Sequence, residues 1–348
     1  MKKNLIALAI AGALALPLAQ AQNANVTLYG VADAYLSFAK TGAGAANGAT
    51  FSQTRLESGG ISGSRWGIRG TEKIGNLNAN FTLENGFSLD NGTLGQGGLL
   101  FGRKATVGLS GGFGAIDLGR NYAAGFYNVL ANESLGLSNF SPVANLILVP
   151  FAGDLLRINN SITYTSPALG AFSVSAMYAL GEAATATSNA NTNSLFQVGF
   201  NGNAGPVALG ANYSKRQAGS TNIAGFVGGN FGMFGVQLVG DQNKTAAGVK
   251  TNVYVLNSTV SFGAGKLLAG YGTTKTDGMK KGSVVTVGYE QDLSKRTTVY
   301  SYFASGSRAS LGADGLGYTA AVVTNVVATH KNESGNPRDL AFGMRHRF

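Results

Sequence analysis

The chain has 348 residues, a formal net charge of +10, no cysteine, 52 glycines and only 6 prolines. The absence of cysteine excludes a disulfide-stapled secreted domain, and so little proline without a G-X-Y period excludes collagen. Hydrophobic residues make up 44% and charged residues 12%, the latter about half the share usual in a soluble domain.

In chain order the first element is MKKNLIALAIAGALALPLAQA. Lys2 and Lys3 precede an apolar run from Leu5 to Leu18, and Ala19-Gln20-Ala21 fits a small-x-small cleavage pattern. Residues 1–21 therefore read as a secretory signal peptide, too short for a transmembrane helix. Removing 21 of 348 residues leaves 327, starting at Gln22, and the loss of Lys2 and Lys3 lowers the charge to +8. No later run of ~20 apolar residues follows, so no helix is expected to cross a bilayer. The remaining route into lipid is a sheet closed on itself, which satisfies every backbone group.

Short segments with a period of two then follow, separated by Gly, Asn, Asp and Ser clusters. In 26–38, Val26, Leu28, Ala32, Leu36 and Phe38 share one face and Thr27, Tyr29, Asp33, Tyr35 and Ser37 the other. In 64–70, Trp66 and Ile68 oppose Arg65 and Arg69; in 77–87, Leu77, Ala79, Phe81 and Leu83 oppose Asn78, Asn80, Thr82 and Glu84. The segment 101–109 breaks the rule, because Arg103 has the parity of Val107 and Leu109. Either a bulge changes the parity there or Arg103 sits at the strand rim. Similar segments recur at 114–121, 161–166, 171–180, 194–202, 206–217, 222–230, 234–242, 251–262, 266–274, 282–290, 297–305 and 339–348, sixteen in all.

A soluble sandwich would show Lys and Glu on its wet face, whereas here that face carries mostly Asn, Ser, Thr and Gly. No fixed repeat supports a solenoid or propeller. The expected fold is all-β: one domain over 22–348, a sixteen-stranded antiparallel transmembrane β-barrel, with roughly 20 residues per strand and connection. The stretch 122–156 lacks alternation and is largely apolar. Long unstructured connections are uncommon and usually functional, so this one is expected to fold into the lumen. The alternative is an outer loop buried against other loops or a neighbouring subunit.

Parity places Asp33, Arg65, Arg69, Glu84, Asp117, Arg157, Glu290, Arg345 and Arg347 inward. A ring of charge in a narrow pore biases which ions enter, and with a Debye length of ~8 Å only charges at a narrowing reach across it. Arg120 is a further candidate at the loop entrance. The chain has two histidines, His330 in the loop THKNESGNP and His346 with outward parity, neither beside a plausible serine nucleophile with an orienting acid. No metal-ligand spacing or phosphate-cradling loop stands out, so enzymatic activity, a metal and a cofactor are not expected. The charges alternate into a lumen and do not form the exposed basic face that nucleic acid requires.

The stretches VTLYGVADAYL, SGGISGSRWGIRGTEKIGNLNANFTLENGF, LFGRKATVGLSGGFGAIDLGR, NNSITYTSP, YEQDLSKRTTVYSYF and the terminal GMRHRF resemble, in this order, the trimeric general porins of β-proteobacterial outer membranes. The resemblance implies a sixteen-stranded barrel narrowed by its third loop. It implies a homotrimer among outer-membrane lipid and lipopolysaccharide, passing small anions and hydrophilic solutes; a solute-specific channel is the runner-up. By motif, the arginines of the narrowing fall on Arg65, Arg103 and Arg157, with Glu84 as the strand acid. The third loop departs from the pattern, offering only Glu133 and Asp154 as acids. The resemblance also implies that the terminal aromatic strand, ending in Phe348, is read during assembly.

Overall fold

The computed structural model describes residues 25–40, 52–148, 155–181, 193–279, 281–307 and 338–348. The expected signal peptide at 1–21, together with Asp154 and His330, lies outside these residues.

Seventeen strands form one sheet: β1 (Asn25–Lys40), β2 (Ser52–Ser58), β3 (Arg65–Ile74), β4 (Leu77–Gly86), β5 (Lys104–Gly111), β6 (Gly114–Tyr122), β7 (Arg157–Thr165), β8 (Phe172–Ala179), β9 (Leu195–Ala204), β10 (Val207–Arg216), β11 (Thr221–Phe231), β12 (Phe234–Lys244), β13 (Lys250–Phe262), β14 (Gly265–Thr276), β15 (Gly282–Asp292), β16 (Thr297–Ser307) and β17 (Arg338–Arg347). β1 pairs antiparallel with β17 and closes the barrel. Closure leaves no edge exposed to lipid.

Seventeen strands make sixteen staves. β1 pairs with β2 through residues 34–40 and with β3 through residues 25–31, so β2 and β3 are one stave broken at 59–64. The sequence pattern showed only the lower half of it. The break is built around Asp33. Its carboxylate accepts the N–H groups of Gly60 and Ile61 at 3.0 Å each and of Ser62 at 2.8 Å, and Tyr300 O–H also donates to it. Gly59 starts the arch at φ +82°, a left-handed value that favours glycine. Ile61 is then buried among Tyr35, Phe140, Tyr300 and Tyr302.

Alternation sorts the wall into two faces. Val26, Leu28, Val107, Leu118, Ile223, Leu238, Leu256 and Phe342 stand exposed on the outside, the apolar band that lipid requires. The intervening residues point inward. The last residue joins the first strand: Phe348 and Gly30 exchange N–H···O bonds of 3.1 and 2.9 Å. The Phe348 ring lies over Gly30, where a Cβ would collide with it.

The connection from β6 to β7 contains a short helix α1 (Ala124–Asn128), a 3-10 turn (Leu130–Asn132) and a π-helical turn (Ala144–Leu148). Its apolar side chains pack on inward-facing residues of β11, β12, β13 and β15: Val129, Leu130, Val143, Leu146 and Ile147 against Phe226, Val239, Val253, Val255 and Val284. Polar bonds pin it to the same wall. Gln237 Nε2 donates to the Asn132 carbonyl at 2.7 Å, Ser134 N–H donates to Gln237 Oε1 at 3.0 Å, and Asn257 donates to the Glu133 carboxylate. Its tip reaches the arch, where Asn139 N–H donates to the Gly60 carbonyl at 2.8 Å.

Candidate functional site

Glu84 on β4 is the hub of the inner wall opposite this segment. Arg103 Nε donates to its Oε1 at 2.7 Å, Tyr29 O–H donates to Oε2 at 3.0 Å, and Arg65 Nε lies 3.8 Å from Oε2. Arg157 joins through Tyr122: its Nη2 donates to the Tyr122 hydroxyl at 3.1 Å, and its guanidinium stacks 4.8 Å from that ring. Arg103 Nη2 donates to the same hydroxyl at 2.9 Å. β3, β4, β6, β7 and the approach to β5 thus bring three guanidiniums and one carboxylate together. They line a cavity of about 490 Å³ whose far side is Phe126, Tyr127, Ala131, Leu137 and Asn139 of the inward-packed segment.

The three arginines and Glu84 of the sequence reading therefore share one site. Arg103 precedes β5, which starts at Lys104, so strand parity does not govern it; this resolves its anomalous position. The secondary candidates disperse. Arg69 is exposed, its guanidinium 5.3 Å from the Tyr29 ring centroid. Arg120 Nε donates to the Gly102 carbonyl at 2.8 Å and its Nη1 to Asn159, so it braces the wall beside the cavity. Asp117 is half-buried on β6, and Glu290 accepts from Tyr302 O–H at 2.7 Å. Asp33 requires a correction. It faces inward but is fully covered by the 59–64 arch, so it organises backbone and meets no lumen water.

Tyr122 was not anticipated. The register shifts between Gly119, at φ +128°, and Asn121, so alternation could not show where Tyr122 points. Among the loop acids, Glu133 turns away from the cavity. One carboxylate oxygen accepts from Asn257 and the other from Leu137 N–H at 2.7 Å. Burial pushes this carboxyl above the ordinary glutamate range, with the Leu137 N–H opposing in part.

A closed barrel with an apolar exterior and a charged inner wall defines a membrane channel of the outer-membrane type. The profile of the Gram-negative porins matches residues 7–308, and the chain belongs to that family. It is 29% identical to an outer membrane porin protein of Bordetella pertussis, over 87% of this chain and 93% of the relative. It is also 29% identical to outer membrane porin protein 32 of Delftia acidovorans, over the full length of both. Among solved structures, the fold is similar to an anion-selective porin from Comamonas acidovorans, with a TM-score of 0.76 and 24% identity over 94% of this chain and 100% of that one. It is also similar to OmpT of Vibrio cholerae in a trimer form, with a TM-score of 0.63 and 18% identity over 94% and 100%. The protein is an outer-membrane porin that lets solutes diffuse through its barrel.

Proposed function

We propose that this porin is a general diffusion channel with a preference for small anions, narrowed where the segment 122–156 faces Arg65, Arg103 and Arg157. The observation that carries the reading is the charge of the cavity: three arginines against Glu84, with Glu133 of the opposing segment turned into the far wall. Fixed cations at a narrowing raise the local anion concentration. At physiological salt their reach of ~8 Å is lost in a wide mouth but not in a constriction. The naming of the Comamonas relative as anion-selective agrees with this.

The test compares two triple variants in a KCl gradient across planar bilayers. Changing Arg65, Arg103 and Arg157 to Gln moves the reversal potential toward cation preference. Changing Lys215, Lys244 and Lys250 to Gln, which removes the same charge from the outer surface, moves it far less. Equal shifts would assign the selectivity to net charge and not to the cluster.

The same reading includes export through cleavage after Ala21 and assembly as a homotrimer among outer-membrane lipid and lipopolysaccharide; the likeness in fold to OmpT of Vibrio cholerae in a trimer form agrees with the trimer. It also gives Phe348 a role in assembly. Deleting Phe348 removes the ring from Gly30 and the final backbone pair. The truncated chain is then exported but poorly inserted, which fractionation of the outer membrane measures.

A further inference from the structure

One carboxylate of the inner wall meets no solute and still reaches both sides of the narrowing. Asp33 is 0% exposed on β1 and forms no ion pair among the described residues. Its charge is met by the N–H groups of Gly60, Ile61 and Ser62 and by the Tyr300 hydroxyl. Successive N–H groups turned on one anion form a nest, and bonds to an ionised acceptor are about twice as strong as neutral ones. Both ends of the arch are tied to the same residue. Gly59 N–H donates to the Asp33 carbonyl at 2.7 Å, and the Ser64 hydroxyl donates to it at 3.0 Å.

A trans peptide unit that points its N–H one way points its C=O the other. The unit that gives Asp33 the Gly60 N–H carries the Gly59 carbonyl. The unit that gives it the Ile61 N–H carries the Gly60 carbonyl. These two carbonyls are the ones that Asn139, at the tip of the inward-packed segment, engages. Its Nδ2 donates to Gly59 at 2.7 Å and its N–H to Gly60 at 2.8 Å. Hydrogen bonds in such a chain polarise and strengthen one another.

The far end of the arch touches the charged wall. Arg65 Nη1 donates to the Gly63 carbonyl at 3.0 Å, and a Cβ on Gly63 would lie 3.0 Å from Arg103 Nη1. The arch therefore stands between the segment and the arginines, with one buried carboxylate behind it.

We propose that Asp33 is a positioning residue for the constriction: through the arch it holds Asn139 on one side and Arg65 on the other. The proposal rests on the narrowing argued above and adds the group that fixes its width and keeps Arg65 free for anions. Without the Gly63 carbonyl, Arg65 closes the 3.8 Å that separates its Nε from the Glu84 carboxylate and is neutralised there. Without Asn139 the tip keeps an apolar foothold, since the Phe140 ring lies 4.9 Å from that of Tyr302 and 5.4 Å from that of Tyr35. The tip then rattles but stays in the lumen.

The test records single channels of the full chain in planar bilayers under a KCl gradient. Asp33→Asn sets amide N–H donors against the N–H donors of the arch. Open-channel noise rises, and the reversal potential moves toward cation preference. The sign is diagnostic, because deleting a negative charge beside the lumen acts by its field in the opposite direction. Asn139→Ala raises the noise and leaves the reversal potential in place. The double variant is no noisier than Asp33→Asn, as expected of two residues on one path. Gly59→Ala keeps every charge but strains the arch at φ +82°, and it reproduces both effects of Asp33→Asn.

An unchanged or more anion-preferring reversal potential in Asp33→Asn would overturn the proposal, and so would additive noise in the double variant. If Asp33→Asn does not fold, the other two variants decide: wild-type noise in Asn139→Ala or a wild-type reversal potential in Gly59→Ala overturns it equally. The triple arginine variant separates the two readings. If it leaves the reversal potential unmoved, the anion preference of the cluster is lost, while the noise of Asn139→Ala still reports whether the arch holds the segment.

Discussion

The two halves of the inner wall of this barrel are built on opposite principles. On the side of β3 to β7 the wall is polar and open: Arg65, Glu84, Arg103, Tyr122 and Arg157 bond to one another and border a cavity. On the side of β11 to β15 the inward residues Phe226, Val239, Val253, Val255 and Val284 are apolar and buried under Val143, Leu146 and Ile147. Facing inward is therefore not the same as facing water. One half of the lumen wall is a polar surface bordering a cavity and the other is a hydrophobic core between a sheet and a loop, and the second fixes what stands opposite the first.

The largest expected effect comes from breaking the dry half. Leu146 is 1% exposed, and Leu146→Ala leaves a cavity under the loop that costs about 2–5 kcal/mol. Gly272→Val acts from the other side, because a Cβ there already lies 2.7 Å from Leu146 Cδ1 and 2.9 Å from Pro142 Cβ. Either change should release the segment, seen as faster proteolysis between β6 and β7 and as larger single-channel conductance. An unchanged conductance would mean that the segment does not limit flow.

A smaller effect sharpens the wet half. Glu84→Gln removes the carboxylate that holds Arg103 and Arg65 and weakens hydrogen bonds worth roughly 1.5–3 kcal/mol each when charged. The barrel should still form, since the ladder is untouched. The reversal potential should shift further toward anions, because three guanidiniums then act without their counter-charge. A shift toward cations would refute the assignment of Glu84 as the offsetting charge.

The smallest effect links the halves through Glu133. Its carboxyl titrates above the ordinary glutamate range when docked, so the docked segment holds a proton that the released segment gives up. Docking is therefore strongest below the ordinary glutamate pKa, where both states are protonated. It weakens as pH rises through the raised docked value, where burial opposes the charge. Open-channel current noise should grow over that interval in the wild type and stay flat in Glu133→Gln.

Much of this was legible in the chain. Alternation revealed the barrel and its outward band, and motif order brought Arg65, Arg103, Arg157 and Glu84 to one site. Three parts were not legible, each for a local reason. The strand 52–58 is short and its stave is interrupted, so it gave no long period; only the carboxylate of Asp33, wrapped by three backbone N–H groups, shows why the chain leaves the ladder. Tyr122 follows a register shift that ends the parity argument. The landing surface of the loop was hidden because Val253 and Val255 alternate with Tyr254 and Leu256. A strand apolar on both faces is the signature of burial on both sides, and it marks where a lumen wall is covered.

The seam between β1 and β17 carries a consequence for how the molecule comes into being. The bond from Ser37 Oγ to Asp339 Oδ1, 2.8 Å long, joins residues 302 positions apart. Closing so large a ring costs about 5 kcal/mol in chain entropy before any other term is counted, and folds dominated by such distant contacts form slowly. The stave made last is the only partner for one side of the stave made first. A chain in which β17 has not yet paired with β1 therefore has two unpaired edges, sticky to any other strand, and must be held apart from its neighbours until the seam closes. Completion of the barrel is then the pairing of β1 with β17 along this seam.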